Sequence, residues 1–440
     1  MRKISFTVLA AALSLALAIH AKGQAFDDYL TDSTLRIDYI FAGSAGAQEI
    51  YLDEISVSEG WDGRRVNLDT VPLKGNGCVT LRDSATAKVL YKQSFSTLFQ
   101  EWQATEEATV ARKSFENVYR LPMPRDVAYV SVELYDLKGR VSASMEHKVD
   151  PRDILIRKGK ATPAPFKYIL RSGESRDCID VVIVAEGYAK KEAKDFYRHA
   201  RTAVESIISH EPFKTYKDRF NFIAVALSSE ESGVSVPLED DWRRTALGAN
   251  FSTFYSDRYL TTLRLRNLAD KLGGIPYEHI VILANTDTYG GGGIYNSYTL
   301  TTARHEGFKP VVAHEFGHSF AGLGDEYYYD DMYSPYYFPD VEPWEKNITT
   351  MADFGSKWAS MLPEGVAVTP GMDDGELWRK VADGTPMETF VGLYEGGGYM
   401  SKGVYRGFPD CRMKTNAAPA FCPVCQKAIK DMILFYTEEL

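Results

Sequence analysis

Residues His314-Glu315-Phe316-Gly317-His318 set two imidazoles four positions apart, with a carboxylate beside the first. Positions i and i+4 share one helix face, so both rings can reach a single metal ion. Zinc bonds nitrogen at about 2.0–2.1 Å and, in catalytic sites, keeps one position open for water. Glu315 would stand beside that water as the group that takes its proton. The chemistry encoded is metal-assisted hydrolysis, but two histidines rarely suffice, and catalytic zinc normally has a third protein ligand. No histidine follows His318, and His305 is not on the expected side of the helix. Asp325 is the leading candidate, with Glu326 the longer-reaching rival and a more distant acid the remaining choice. On a continuing helix Asp325 would lie about 10 Å along the axis from His318, too far to share a metal. The break at Gly322-Leu323-Gly324 lets the chain reverse and bring it back.

The element carrying the histidines must be a buried helix, because Val311, Val312, Phe316 and Phe320 supply apolar positions at helical spacing. Pro310 suits its first turn. Around it, strand and helix patterns alternate. Asp180 to Ala185, Phe220 to Leu227 and His279 to Asn285 read as strands, and Lys190 to Ser209 and Phe254 to Leu272 as helices. That alternation argues for an α/β or α+β domain. The glycine run Tyr289 to Gly293 lacks the Gly-Lys-Ser/Thr of a phosphate cradle. It reads as a turn leading into an edge strand over Ile294 to Thr299, able to hold an extended peptide by backbone hydrogen bonds.

Upstream, residues 26–150 are patterned as strands. Leu35, Ile37 and Tyr39 alternate with Arg36, Asp38 and Ile40, and Ala128, Val130, Val132 and Leu134 with Tyr129, Ser131 and Glu133. Short strands at hairpin spacing predict a β-sandwich, with no catalytic constellation of its own. Residues 151–165 carry Pro, Lys and Arg and read as a linker to a catalytic domain over 166–440.

The net charge of −10 and the absence of a long basic run disfavour a nucleic-acid partner. Arg2 and Lys3 precede an apolar run from Ile4 to Ile19, followed by small residues, which predicts a secretory signal over 1–21 with cleavage after Ala21 or Ala25. An uncleaved anchor is the competing reading; no other segment is long and apolar enough for membrane insertion. The protein is thus expected to be secreted or periplasmic. Export makes disulfides possible, and Cys411 bridged to Cys422 or Cys425 is the expectation among Cys78, Cys178, Cys411, Cys422 and Cys425. The acidic stretches Glu239-Asp240-Asp241 and Asp330-Asp331 lack the spacing of a calcium loop and read as solvated surface.

The helix resembles the metzincin type of zinc endopeptidase, although Gly322 and Asp325 each come one residue later than in that pattern. The resemblance is closer to the bacterial IgA peptidase family. It rests on residues 314–327, on Gly392-Leu393-Tyr394-Glu395-Gly396, on Tyr405-Arg406, on Cys411-Arg412-Met413 and on Phe421-Cys422-Pro423-Val424-Cys425. It also takes in an N-terminal β-domain beginning near Phe26. The likeness implies a multidomain secreted zinc endopeptidase acting on protein or peptide. His314 and His318 would be ligands, Glu315 the general base, Met413 a methionine turn under the metal, and Tyr405 or Arg406 an oxyanion partner. A protein- or glycan-binding module with an inactive metal site and a cell-wall peptide amidase are the alternatives.

Overall fold

The computed structural model describes residues 26–159, 162–329, 336–362 and 367–439. The expected signal segment and the pair Asp330-Asp331 lie outside the described residues. The chain builds mixed sheets with helices against them.

The first strands are β1 (Leu30–Ser44), β2 (Ala47–Glu59), β3 (Gly77–Asp83), β4 (Val89–Phe95), β5 (Lys113–Pro124), β6 (Ala128–Tyr135), β7 (Val141–Val149) and β8 (Arg157–Lys158). They form two four-stranded sheets, ordered β5-β1-β2-β8 and β4-β3-β6-β7. Alternation does what period-two patterning requires: Leu35, Ile37, Tyr39 and Phe41 of β1, and Ala128, Val130, Val132 and Leu134 of β6, are all buried. The sheets meet through aromatic rings, with Phe41 against Phe95 and the Tyr39 hydroxyl 2.6 Å from His147 Nε2. The segment between Val149 and Phe166 is not free of structure, because β8 pairs in parallel with β2.

The third sheet positions the site. Its strands are β9 (Phe166–Leu170), β10 (Ile179–Glu186), β11 (Phe220–Val225), β12 (His279–Ala284), β13 (Gly291–Ile294) and β14 (Tyr298–Thr302), ordered β13-β14-β12-β10-β11-β9. β10 pairs in parallel with β11 and β12, and β12 with β14, while β9 and β13 run antiparallel at the two edges. Every residue of β10, β11 and β12 is buried, as expected of parallel strands covered on both faces. The helices Ala193–Ser209, Phe308–Ala321 and Pro423–Thr437 pack around it. A fourth, small sheet joins β15 (Tyr328–Tyr329), β16 (Ile348–Thr349), β17 (Tyr394–Gly397) and β18 (Tyr399–Arg406).

Two expectations need correction. The helix predicted over Phe254 to Leu272 is α-helical only at Leu265–Lys271. Phe254 and Tyr255 have positive φ, Asn250 bridges Thr261, and the Tyr298 hydroxyl bonds both the N–H and the carbonyl of Thr262. Those tertiary bonds to two buried threonines displace the helical ladder. The edge strand also lies earlier than predicted: the glycine run is itself β13, Tyr295 to Ser297 form the turn, and Tyr298–Thr302 is the next strand inward.

Candidate metal centre

The histidine helix lies against β13 and β14, and glycine allows the approach. A Cβ on Gly293 would collide with the Glu315 carbonyl oxygen and sit 2.8 Å from His318 Cβ. Thr299 Oγ1 donates to the Glu315 carbonyl at 3.1 Å and lies 2.6 Å from Ser319 Oγ, tying the helix to β14. On its other side Phe316 and Phe320 meet Phe213 in tilted and His279 in edge-on ring contacts. His305 accepts from the Gly307 N–H at 3.0 Å at the helix entrance and is not among the groups that close on the two histidines.

At the other end Gly322 takes the left-handed conformation (φ 57°) and reverses the chain. Its N–H reaches the His318 carbonyl at 2.9 Å, and that of Leu323 reaches the Gly317 carbonyl at 3.2 Å. A Cβ here would also strike Leu73 and Trp344, so only glycine fits. Asn347 clamps the reversed strap, accepting from Gly324 N–H and donating to the Gly324 carbonyl, both at 2.8 Å.

The reversal brings Asp325 to the imidazoles. His314 Nε2 and His318 Nε2 are 3.0 Å apart, and Asp325 Oδ1 is 3.1 Å from the first and 3.2 Å from the second. Glu326 points the other way, with Oε1 bonded to Asn347 Nδ2 at 2.9 Å and facing three cysteines. The Glu315 carboxylate lies within 4.8 Å of both histidine nitrogens.

Hydrogen bonding settles the tautomers. His314 Nδ1 is 2.9 Å from the Arg412 carbonyl, and His318 Nδ1 is 2.5 Å from that of Leu323. A carbonyl only accepts, so each Nδ1 carries a proton, which leaves Nε2 as the nitrogen that a cation would take. Two nitrogens and a carboxylate oxygen therefore converge, and among the described residues that oxygen has no hydrogen bond of good geometry. The donor set fits a divalent cation: three N/O atoms with edges near the roughly 3.3 Å expected of tetrahedral ligation, each imidazole held by an outer carbonyl.

The site's demand for positive charge shows in its titration. Burial lowers His318, but the Asp325 carboxylate outweighs it and raises the imidazole to about 9. Burial raises Asp325, but the two histidines override it and hold the acid below the ordinary carboxylate range. Burial also lifts Glu315, against the pull of His314 and His318. A lifted carboxylate is a stronger proton acceptor, as a general base requires.

Several contributors were not singled out by sequence. The Tyr399 hydroxyl donates to Asp325 Oδ2 from a backbone held at φ 65°, which an L residue rarely adopts. The Tyr327 ring stacks parallel to His314 at 6.4 Å. Glu101, from the N-terminal segment expected to carry no such group, faces the same cleft; burial raises it to about 7, and the Tyr259 hydroxyl bonds it. The pairing of Tyr399 with Asp325 across 74 residues leaves no local pattern to read. Met413 lies beneath the helix: a Cβ on Gly317 would be 2.9 Å from its sulfur, and its carbonyl accepts from Glu326 N–H at 2.8 Å. Arg406 spends its guanidinium on the carbonyls of Glu395, Gly396 and Pro409, and neither it nor Tyr405 lines the cleft.

The expected disulfide is absent: all five cysteines are free, and Cys411 Sγ stands 3.7 Å from Cys425 Sγ. Glu239 and Asp240 are exposed, and Asp241 is neutralised by Arg243 at 2.6 Å.

The cleft above the histidines measures about 1480 Å³. Gln48, Lys74, Glu101 and Tyr135 line it from the N-terminal segment, and Gly290 to Gly293, Tyr327 and Tyr399 from the remainder. No helix among the described residues is long and apolar enough to cross a membrane.

The family profile described as IgA Peptidase M64 matches residues 168–383 and 376–433, and the profile of the Peptidase M64 N-terminus matches residues 25–146. No curated protein matches the chain.

Proposed function

The chain belongs to the IgA peptidase M64 family and is a peptidase, and from that premise we propose that it is a secreted, zinc-dependent endopeptidase. His314, His318 and Asp325 are the ligands in this reading, and Glu315 is the general base. The observation that carries it is the convergence of His314 Nε2, His318 Nε2 and Asp325 Oδ1 within 3.0–3.2 Å, with Glu315 beside them. Zinc bound there would supply an activated water and a positive charge for the developing oxyanion.

The protein's own groups do the rest. The Arg412 and Leu323 carbonyls keep both imidazoles in the ligating tautomer. Glu315 takes the proton of the attacking water at its carboxylate and returns it to the leaving amine. The Tyr399 hydroxyl holds Asp325 by the oxygen turned away from the histidines. A peptide fits the cleft better than a small amide, because about 1480 Å³ exceeds the 300–1,000 Å³ of small-molecule pockets. The outer edge of β13, which among the described residues carries one bridge, to Tyr259, is where an extended peptide would add as a strand.

In the same reading residues 26–150 are a β-sandwich accessory domain, residues 151–165 a linker, and residues 166–440 a metzincin-like catalytic domain in which Met413 forms the methionine turn. Residues 1–21 are a signal segment removed on export. Glu315→Gln tests the function: turnover of a peptide library should fall by about 10²–10⁴ with the zinc content unchanged. Full activity at matched zinc would refute the assignment.

A further inference from the structure

A second cluster of metal-binding side chains lies outside the catalytic triangle. Glu326, Cys411, Cys422 and Cys425 are all fully buried, and their ligating atoms lie within 4.8 Å of one another. The Cys411 and Cys425 sulfurs are 3.7 Å apart, and Glu326 Oε1 is 3.0 Å from Cys425 Sγ and 3.9 Å from Cys422 Sγ. We propose that these four residues hold a structural zinc ion, distinct from the one at His314 and His318.

The geometry fits. With zinc–sulfur bonds of about 2.3 Å and zinc–oxygen bonds of about 2.0–2.2 Å, tetrahedral edges come to about 3.8 Å between sulfurs and about 3.5 Å from sulfur to oxygen. The two sulfur–oxygen separations bracket their value, and the Cys411–Cys425 separation of 3.7 Å lies close to the sulfur–sulfur one. Four protein ligands with no open position mark a structural rather than a catalytic centre. The surroundings suit thiolates. The Cys422 N–H points at Cys411 Sγ at 3.1 Å, and the Cys425 N–H at Cys422 Sγ at 3.5 Å. Cys422 is also the N-cap of the 15-residue helix Pro423–Thr437, whose positive end faces the cluster.

An independent observation comes from Glu326. Among the described residues its Oε2 is buried without a hydrogen-bond partner, and its Oε1 has Asn347 as its one nitrogen donor. A carboxylate so desolvated, facing three sulfurs and bonded by no cationic side chain, is costly unless a cation completes the site. The location gives the ion a purpose. Glu326 follows Asp325 directly, and Cys411 precedes Arg412, whose carbonyl orients His314. One ion would therefore staple the strap that delivers Asp325 to the turn that aims His314 and places Met413 below the helix.

The full chain carrying His314→Ala and His318→Ala, loaded with zinc alone, tests this. It should retain one equivalent of zinc, and replacement by cobalt should give thiolate-to-cobalt charge-transfer absorption. Adding Cys422→Ser and Cys425→Ser should remove both the zinc and the absorption. Because the spectrum is recorded with all cysteines present, the result stands even if the serine variant does not fold. No retained metal in the histidine variant overturns the proposal while leaving the catalytic reading intact. A disulfide among Cys411, Cys422 and Cys425, found by mass mapping of the unreduced protein, also overturns it. Conversely, a wild-type chain that holds only the equivalent lost with Cys422→Ser and Cys425→Ser would refute the catalytic site and leave this one standing.

Discussion

Tyr399→Phe is a clean probe of whether Asp325 serves as the third ligand. The hydroxyl donates to Asp325 Oδ2 and leaves Oδ1 for the histidine side. Phenylalanine keeps the ring and the left-handed backbone, so the strain at φ 65° is common to both proteins and cancels. What is lost is one hydrogen bond to a buried carboxylate, worth about 1.5–3 kcal/mol. Outer partners of metal ligands cost about 10–100-fold in affinity when removed, which is about 1.4–2.7 kcal/mol. The two ranges coincide, so zinc affinity should fall by one to two decades. Competition against a graded series of chelators would measure it, with circular dichroism as the check on folding. In an Asp325→Asn background the same change should cost far less, because the charge that made the bond strong is gone. An intact Tyr399→Phe protein with wild-type zinc affinity would show that Asp325 is not a ligand oriented by this tyrosine. Equal losses in both backgrounds would say the same.

Other outcomes follow from the packing and the buried charges. Gly293→Ala places a methyl group against the Glu315 backbone carbonyl, which cannot move aside, and should destabilise the protein by about 1–3 kcal/mol in thermal or denaturant unfolding. Gly291→Ala instead meets the end of the flexible Glu315 side chain at 2.8 Å; it should lower turnover with little change in melting temperature. Asp180 is fully buried, and burial raises it from 3.8 to about 6. A raised folded value means that its stabilising contribution is complete below about pH 4 and is lost as pH rises through about 6. That loss is worth roughly 3 kcal/mol at 1.36 kcal/mol per unit, and Asp180→Asn should flatten this part of the stability–pH curve. Chelation should abolish turnover and lower the melting temperature, with zinc restoring both; a site saturated 1,000-fold above its dissociation constant contributes about 4 kcal/mol.

Sequence by itself determined the local elements. The buried helix with two histidines on one face, the alternating strands β1 and β6 and the largely apolar, fully buried strands β10 to β12 all follow from patterns of period 3.6 or 2 or from apolar runs. Such patterns report which face of an element is buried, and they say little about what meets that face. The segment at Phe254 shows the limit, since bonds from Tyr298 and Asn250 to two threonines override its helical periodicity. Tertiary structure alone decided which acid meets the imidazoles. Asp325 and Glu326 are adjacent and chemically alike, and the reversal at Gly322 with the Asn347 clamp turns one toward the histidines and the other toward the cysteines. It also decided the outer partners, because the Arg412 carbonyl lies 98 residues from His314 and Tyr399 lies 74 from Asp325. The cysteines show the same division. Their spacing suggested a covalent bridge, whereas the fold adds a buried carboxylate from 96 residues away and makes of them a four-donor cluster. Spacing along a chain records what neighbours share; a ligand set is assembled by contacts between distant segments, and only the folded backbone specifies those.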